Sequence, residues 1–134
     1  MFVESYKDLI VWQKSMQLVR LVYVLSDSFP TKEMYGLTSQ IRRASVSIPS
    51  NIAEGSRRGS RKDYRQFLLV AFGSGSELET QLEIAAMLGF VSAENNDMKL
   101  ALSLLSEVMK MLNALIQKLA ESKESTYYSL PPTH

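Results

Sequence analysis

One run of the sequence limits the possible folds more than any other. Met98, Leu102, Leu105, Met109, Leu112, Ile116 and Leu119 recur at alternating spacings of four and three residues. An α-helix turns once per roughly 3.6 residues, so this alternation keeps the set on one face. Sustained over three heptads, it forms a seam that another helix must cover. A half-buried strand would need alternation at every second residue, and no segment shows it convincingly. The expected fold is all-α.

The rest of the chain supplies partners for that seam. Ser5 followed by Asp8 opens a first helix expected over about 6–29, and Pro30 stops it because proline has no N–H for the ladder. Two apolar stripes run along it: Leu9, Trp12, Met16, Val19 and Tyr23 on one face, Leu18, Val22, Leu25 and Phe29 on the next. A second helix over about 36–55 carries Leu37, Ile41, Ala44, Ile48 and Ile52. Pro49 inside it is expected to kink the axis and leave the Ser45 carbonyl in need of a donor, and Gly55 to close it. Ser60-Arg61-Lys62-Asp63 has the form of a capping box and announces a third helix over about 61–88. Its inward set is Tyr64, Phe67, Ala71, Ser74, Leu78, Leu82 and Ala85, with a Schellman end at Gly89-Phe90. Ser92 is the expected cap of a fourth helix over about 92–122, and residues 123–134 are expected to be a loose tail. Short connections between four helices predict one domain, residues 1–122, folded as an antiparallel up-down-up-down four-helix bundle. The two stripes of the first helix exceed what one neighbour covers, which predicts self-association side by side; the alternative is a monomer whose first helix packs against two neighbours.

Composition narrows the chemistry. The 134 residues include no cysteine, which excludes disulfides, a zinc ribbon and thiol catalysis. The single histidine, His134, is the last residue, so no helix offers an imidazole for acid–base work or the Glu-x-x-His pairs of a di-iron bundle. No metal, cofactor or enzymatic activity is expected. Glu77, Glu79 and Glu83 are expected in structural ion pairs. Gly73-Ser74-Gly75-Ser76 follows no strand and is no phosphate loop; its small side chains suit close helix packing, although each glycine costs a helix roughly 1 kcal/mol. Around Pro49, Ser47, Asn51 and Glu54 face partly inward, and with Ser74 and Glu77 they are expected to form a buried polar network or an interface. No serine there has a base beside it. The start, Met1-Phe2-Val3-Glu4-Ser5, lacks the basic stretch of a secretory leader. The longest charge-free run, residues 66–76, spans eleven residues against the roughly 20 a membrane helix needs. The expected location is the cytoplasm, with no membrane partner.

Charge is distributed unevenly. The formal net charge is +1, which excludes a generic nucleic-acid coat. Residues 40–65, however, hold seven basic side chains against two acidic ones, and residues 66–134 hold four against eight. Arg57, Arg58, Arg61, Lys62 and Arg65 flank the junction of the second and third helices, where the N-terminus of the third adds its positive dipole end. Arginine's planar fork suits phosphate oxygens, so the cluster predicts salt-sensitive binding of RNA or DNA phosphates, with Arg42 and Arg43 as secondary candidates. The competing expectation is a protein–protein adaptor or scaffold whose arginines solvate a helix end or pair with carboxylates.

Three segments also resemble a known family. Residues 6–14, Tyr-Lys-Asp-Leu-Ile-Val-Trp-Gln-Lys, look like the opening motif of the four-helix-bundle family named after 23S ribosomal RNA intervening sequences. Residues 43–55, from Arg43 through Pro49 to Gly55, are similar to its central signature, and residues 67–82, from Phe67 to Leu82, resemble its third-helix motif. The resemblance implies a bacterial cytoplasmic four-helix bundle assembled as a homopentameric ring. It also brings a distant similarity to the accessory protein of diversity-generating retroelements, a basic pentamer that binds nucleic acid; this chain's charge of +1 departs from that relative.

Overall fold

In the computed structural model, which describes residues 5–120, four helices carry the chain: α1 (Ile10–Ser26), α2 (Leu37–Ser56), α3 (Arg61–Met87) and α4 (Asn96–Ala120). Among the described residues there is no strand. Each helix packs on two neighbours in the cyclic order α1, α2, α3, α4, and the α2–α3 contact is the most extensive. Ser47 meets Ser74 and Gly55 meets Phe67, so positions that rise along α2 fall along α3 and the two helices run antiparallel. Leu18, Val22, Ile41, Ile48, Ile52, Leu68, Leu78, Leu82, Val108 and Leu112 are fully buried between the four. Each such side chain contributes about 1.5–3 kcal/mol relative to exposure.

The helix ends follow from local chemistry, and several differ from expectation. The first helix does not run unbroken over 6–29. Ser5 Oγ accepts the Lys7 N–H and caps only a 3₁₀ turn, Tyr6–Asp8. Leu9 is extended (φ −75°, ψ 127°), and α1 starts at Ile10. It ends at Ser26, whose carbonyl would need the N–H of residue 30; Pro30 has none, and the Phe29 N–H takes that carbonyl instead at 3.1 Å in a tighter turn. Likewise α4 begins at Asn96, not 92. Asn95 Oδ1 accepts the Met98 N–H at 3.0 Å, while Ser92 Oγ takes the Glu94 N–H in the turn before. At the end of α3, Gly89 has φ +79°, the Phe90 N–H reaches the Ala85 carbonyl at 2.9 Å and the Gly89 N–H reaches Ala86 at 3.0 Å, a Schellman motif. Phe90 then packs against Phe29 with the rings tilted by 50° and their centroids 5.6 Å apart. The expected end of the fourth helix at 122 and the tail over 123–134 lie outside the described residues.

Helix phase also differs. On α1 the buried face is Val11, Ser15, Leu18, Val22 and Leu25, the second expected stripe extended towards the N-terminus. The other stripe stays partly uncovered, with Met16 and Tyr23 both more than 40% exposed. On α4, Ala101 and Val108 are buried where Leu102 and Met109 were expected; Leu102 is exposed and Met109 half-buried. By length and composition α4 is apolar enough to cross a membrane; 33% of its apolar window is buried within the bundle, where it packs on α1 and α3.

Glycine's part in α2 is packing. The helix continues one residue past Gly55, and it passes through the buried Pro49 as a single element. A Cβ on Gly55 would meet Phe67 Cβ at 2.7 Å and Tyr64 Cδ1 at 3.0 Å, so the missing side chain lets α3 approach here. Gly75 plays the same part towards Met109 on α4, whereas Gly73 faces open space. Gly55→Ala is therefore expected to lower stability by about 1–3 kcal/mol in urea unfolding. Gly73→Ala is expected to raise it by up to about 1 kcal/mol. Equal effects at the two positions would contradict this packing.

Candidate nucleic-acid interface

The junction between α2 and α3 is four residues long and is fixed by Ser60, whose Oγ accepts the Asp63 N–H at 3.1 Å, the forward half of the expected capping box. Here the structure gathers five basic side chains, but in four different settings. Arg57 is exposed and lies over the Tyr6 ring, 5.2 Å from its centroid. Arg58 is exposed too; its Nη2 bonds Glu54 Oε2 at 2.7 Å and its guanidinium lies 4.8 Å from the Phe67 ring. Lys62 is exposed, with no ion-pair partner among the described residues.

Arg61 and Arg65 share a helix face, as their spacing of four requires, and that face points to the end of α4. Arg65 Nε donates to the Ile116 carbonyl at 3.1 Å, and Arg61 Nη2 to the Lys118 carbonyl at 3.3 Å. The last carbonyls of a helix carry its negative dipole end, so two guanidinium groups there stabilise α4 as well as joining it to α3. Arg42 does similar work at the end of α1. Its Nε donates to Ser26 Oγ at 2.8 Å, its guanidinium lies 4.6 Å from the Tyr23 ring centroid, and Asp27 is 3.9 Å away. Arg43 is exposed beside a polar notch further along α2.

The expected polar network is smaller than its five proposed members. Ser47 and Ser74 hydroxyls lie 2.8 Å apart across the α2–α3 contact, and Asn51 Nδ2 donates to the Ser47 carbonyl and hydroxyl at 2.8 and 3.0 Å. Glu54 is outside this group because it turns to solvent and pairs with Arg58. Glu77 is exposed at the rim of the same notch as Arg43. Gln81, absent from the expected set, lines the notch as well, and its Oε1 is buried with no hydrogen-bond partner. Among the described residues no group of three carboxylate, histidine or cysteine side chains converges to hold a metal.

Tyr64 is the one aromatic residue that the sequence sets within the basic cluster, and the structure adds a second, Tyr6, that the local sequence does not announce. A cleft of about 620 Å³ beside the junction is lined by Ser5, Tyr6, Leu9, Ser56, Arg57, Tyr64 and Leu115. Tyr6 arrives there from the far end of the described chain, carried by the 3₁₀ turn that precedes Leu9. Burial pushes the Tyr64 phenol above its ordinary pKa. The only signal for Tyr6 in the sequence is its place in the opening motif; nothing in its spacing links it to Arg57.

These features define an antiparallel four-helix bundle whose second and third helices meet under a cationic junction. Residues 7–114 match the family described as 23S rRNA-intervening sequence protein, and the chain belongs to that family. It is similar to the crystal structure of a protein of unknown function from the S23 ribosomal protein family of Bacteroides thetaiotaomicron. The two are 26% identical with a TM-score of 0.71, over 81% of this chain and 99% of the other. No curated protein matches.

The unpaired Gln81 atom generates a test. Replacing a buried, unsatisfied amide by an apolar group of similar shape is neutral or stabilising. Gln81→Met is expected to leave the urea midpoint unchanged or raise it. A loss above about 1 kcal/mol would mean that the amide is bonded in solution.

Proposed function

We propose that the protein is a non-enzymatic, self-assembling bundle that binds RNA or DNA phosphates through the α2–α3 junction. The observation that carries the phosphate reading is that Arg57, Arg58 and Lys62 stand exposed together at one end of the bundle, with Glu54 paired to only one of them. Arg61 and Arg65 support the site from behind by holding α4 against it. Contacts of this kind recognise backbone charge and not sequence, so affinity falls with salt.

Self-assembly supplies the surface that one copy lacks. Met16, Tyr23, Met34 and Val46 are all at least 40% exposed along the α1–α2 side, and Tyr35 is almost wholly exposed. Arg20, Arg42 and Arg43 flank that apolar stripe, while Glu77, Glu79 and Glu83 lie exposed on α3. The occupant we assign to the stripe is the acidic α3 side of a second copy. A head-to-tail contact between unlike faces gives a ring where the rotation between copies closes, and the number the family resemblance implies is five. A ring repeats the junction cations around one end and adds their attractions for a long polyanion. The second reading is an adaptor for a different protein, favoured by the same exposed stripe if the chain stays single.

Light scattering on the purified protein is expected to give a multiple of the 15.1 kDa chain mass; a single-chain mass would remove the assembly claim. At low salt the protein is expected to bind structured RNA and duplex DNA. The combined change Arg57→Ala, Arg58→Ala and Lys62→Ala is expected to weaken binding at least tenfold and reduce the log–log salt slope by about 2. Binding unaffected by the triple change would move the site elsewhere.

A further inference from the structure

The cleft beside the junction has a composition that phosphate binding alone does not call for. Its floor is apolar, Leu9 and Leu115; two aromatic rings line it, Tyr6 and Tyr64; Ser56 brings a hydroxyl and Arg57 a cation. At about 620 Å³ it falls within the size range of small-molecule sites. A duplex keeps its bases stacked inside and presents phosphates, so it has no use for such a cleft. An unpaired nucleotide does, because every base has a face that stacks on an aromatic ring, and a phosphate beside it meets a guanidinium.

We propose that this cleft takes one unpaired nucleotide, its base stacked against Tyr6 and Tyr64 and its phosphate held by Arg57, so that the junction prefers single strands to duplexes. The assignment rests on the phosphate reading of the same junction. Ser56 Oγ donates to the Ala53 carbonyl at 2.9 Å, which leaves its lone pairs to accept from a base amino group or ribose hydroxyl. The half-buried Tyr64 phenol stays protonated at neutral pH and keeps donor capacity, in line with its raised pKa. Arg57 has no carboxylate partner among the described residues, and its present contact is the Tyr6 ring. The guanidinium can therefore turn to a phosphate without breaking an ion pair.

The molecule carries its own reporter. Trp12, the one tryptophan, packs edge-on against Tyr6 with ring centroids 5.4 Å apart, so occupation of the cleft should change its emission. Adenosine monophosphate is the free-nucleotide probe. A single-stranded oligonucleotide and a duplex of equal charge are the polymer probes, followed by anisotropy at low salt. The expected result is a saturable change in Trp12 emission with the nucleotide and about tenfold tighter binding of the single strand than of the duplex. Tyr6→Leu should abolish that preference while leaving duplex binding unchanged. Ser56→Leu, which keeps both rings and fills the cleft without adding charge, should do the same if Tyr6→Leu disturbs the fold. Equal binding of both polymers, unaltered by either variant, would overturn the cleft and leave the phosphate reading standing. Binding of neither polymer would overturn the phosphate reading; a saturable nucleotide response in that case would assign the cleft to free nucleotides.

Discussion

The close approach of α2 and α3 is the contact on which the rest of the molecule depends. Ser47 on one helix meets Ser74 on the other, Gly55 lies against Tyr64 and the Phe67 Cβ, and at Gly55 there is no room even for a methyl group. Small residues bring the helix axes together and make this the widest interface of the bundle. They also limit the connection to residues 57–60, and so concentrate the basic side chains of both helix ends in one place. Hydroxyls at the contact satisfy one another, which avoids the penalty for buried unpaired polar groups.

Arginine joins the four helices at their ends. Arg42 meets the last turn of α1, and Arg61 and Arg65 meet the last turn of α4. In each case a cation from the α2–α3 hairpin neutralises a helix C-terminus on a flanking helix, where the dipole places negative charge. The local excess of basic residues over 40–65 therefore has two uses. Part of it closes the bundle internally, and the remainder, Arg43, Arg57, Arg58 and Lys62, faces solvent.

The sequence made the helices legible because burial follows a 3.6-residue period that any apolar side chain can mark. It made their phase less legible. On α4 two sets that share Met98, Leu105 and Leu112 both alternate three and four, one through Leu102 and Met109 and one through Ala101 and Val108, and the bundle buries the second although its side chains are smaller. On α1 the larger, more aromatic stripe is the one left partly exposed, and a residue as plain as Ser15 is fully buried with its hydroxyl bonded to the Trp12 carbonyl. Side-chain size along a helix does not report which face a neighbour covers. The junction cations could be read directly from their spacing. The roles of Arg61 and Arg65 could not, because their acceptors are backbone carbonyls more than fifty residues away. Tyr6 was hidden for the same reason: proximity to Arg57 is created by the bundle, not by the chain around either residue.

Hydrogen–deuterium exchange with and without RNA tests the central claim most directly, since it maps contact without altering a residue. The account predicts added protection over residues 5–9 and 56–65, around the 3₁₀ turn and the α2–α3 junction, with the α1 stripe from Trp12 to Tyr23 unchanged by RNA. Protection confined to that stripe, or none at the junction while RNA is bound, would contradict it.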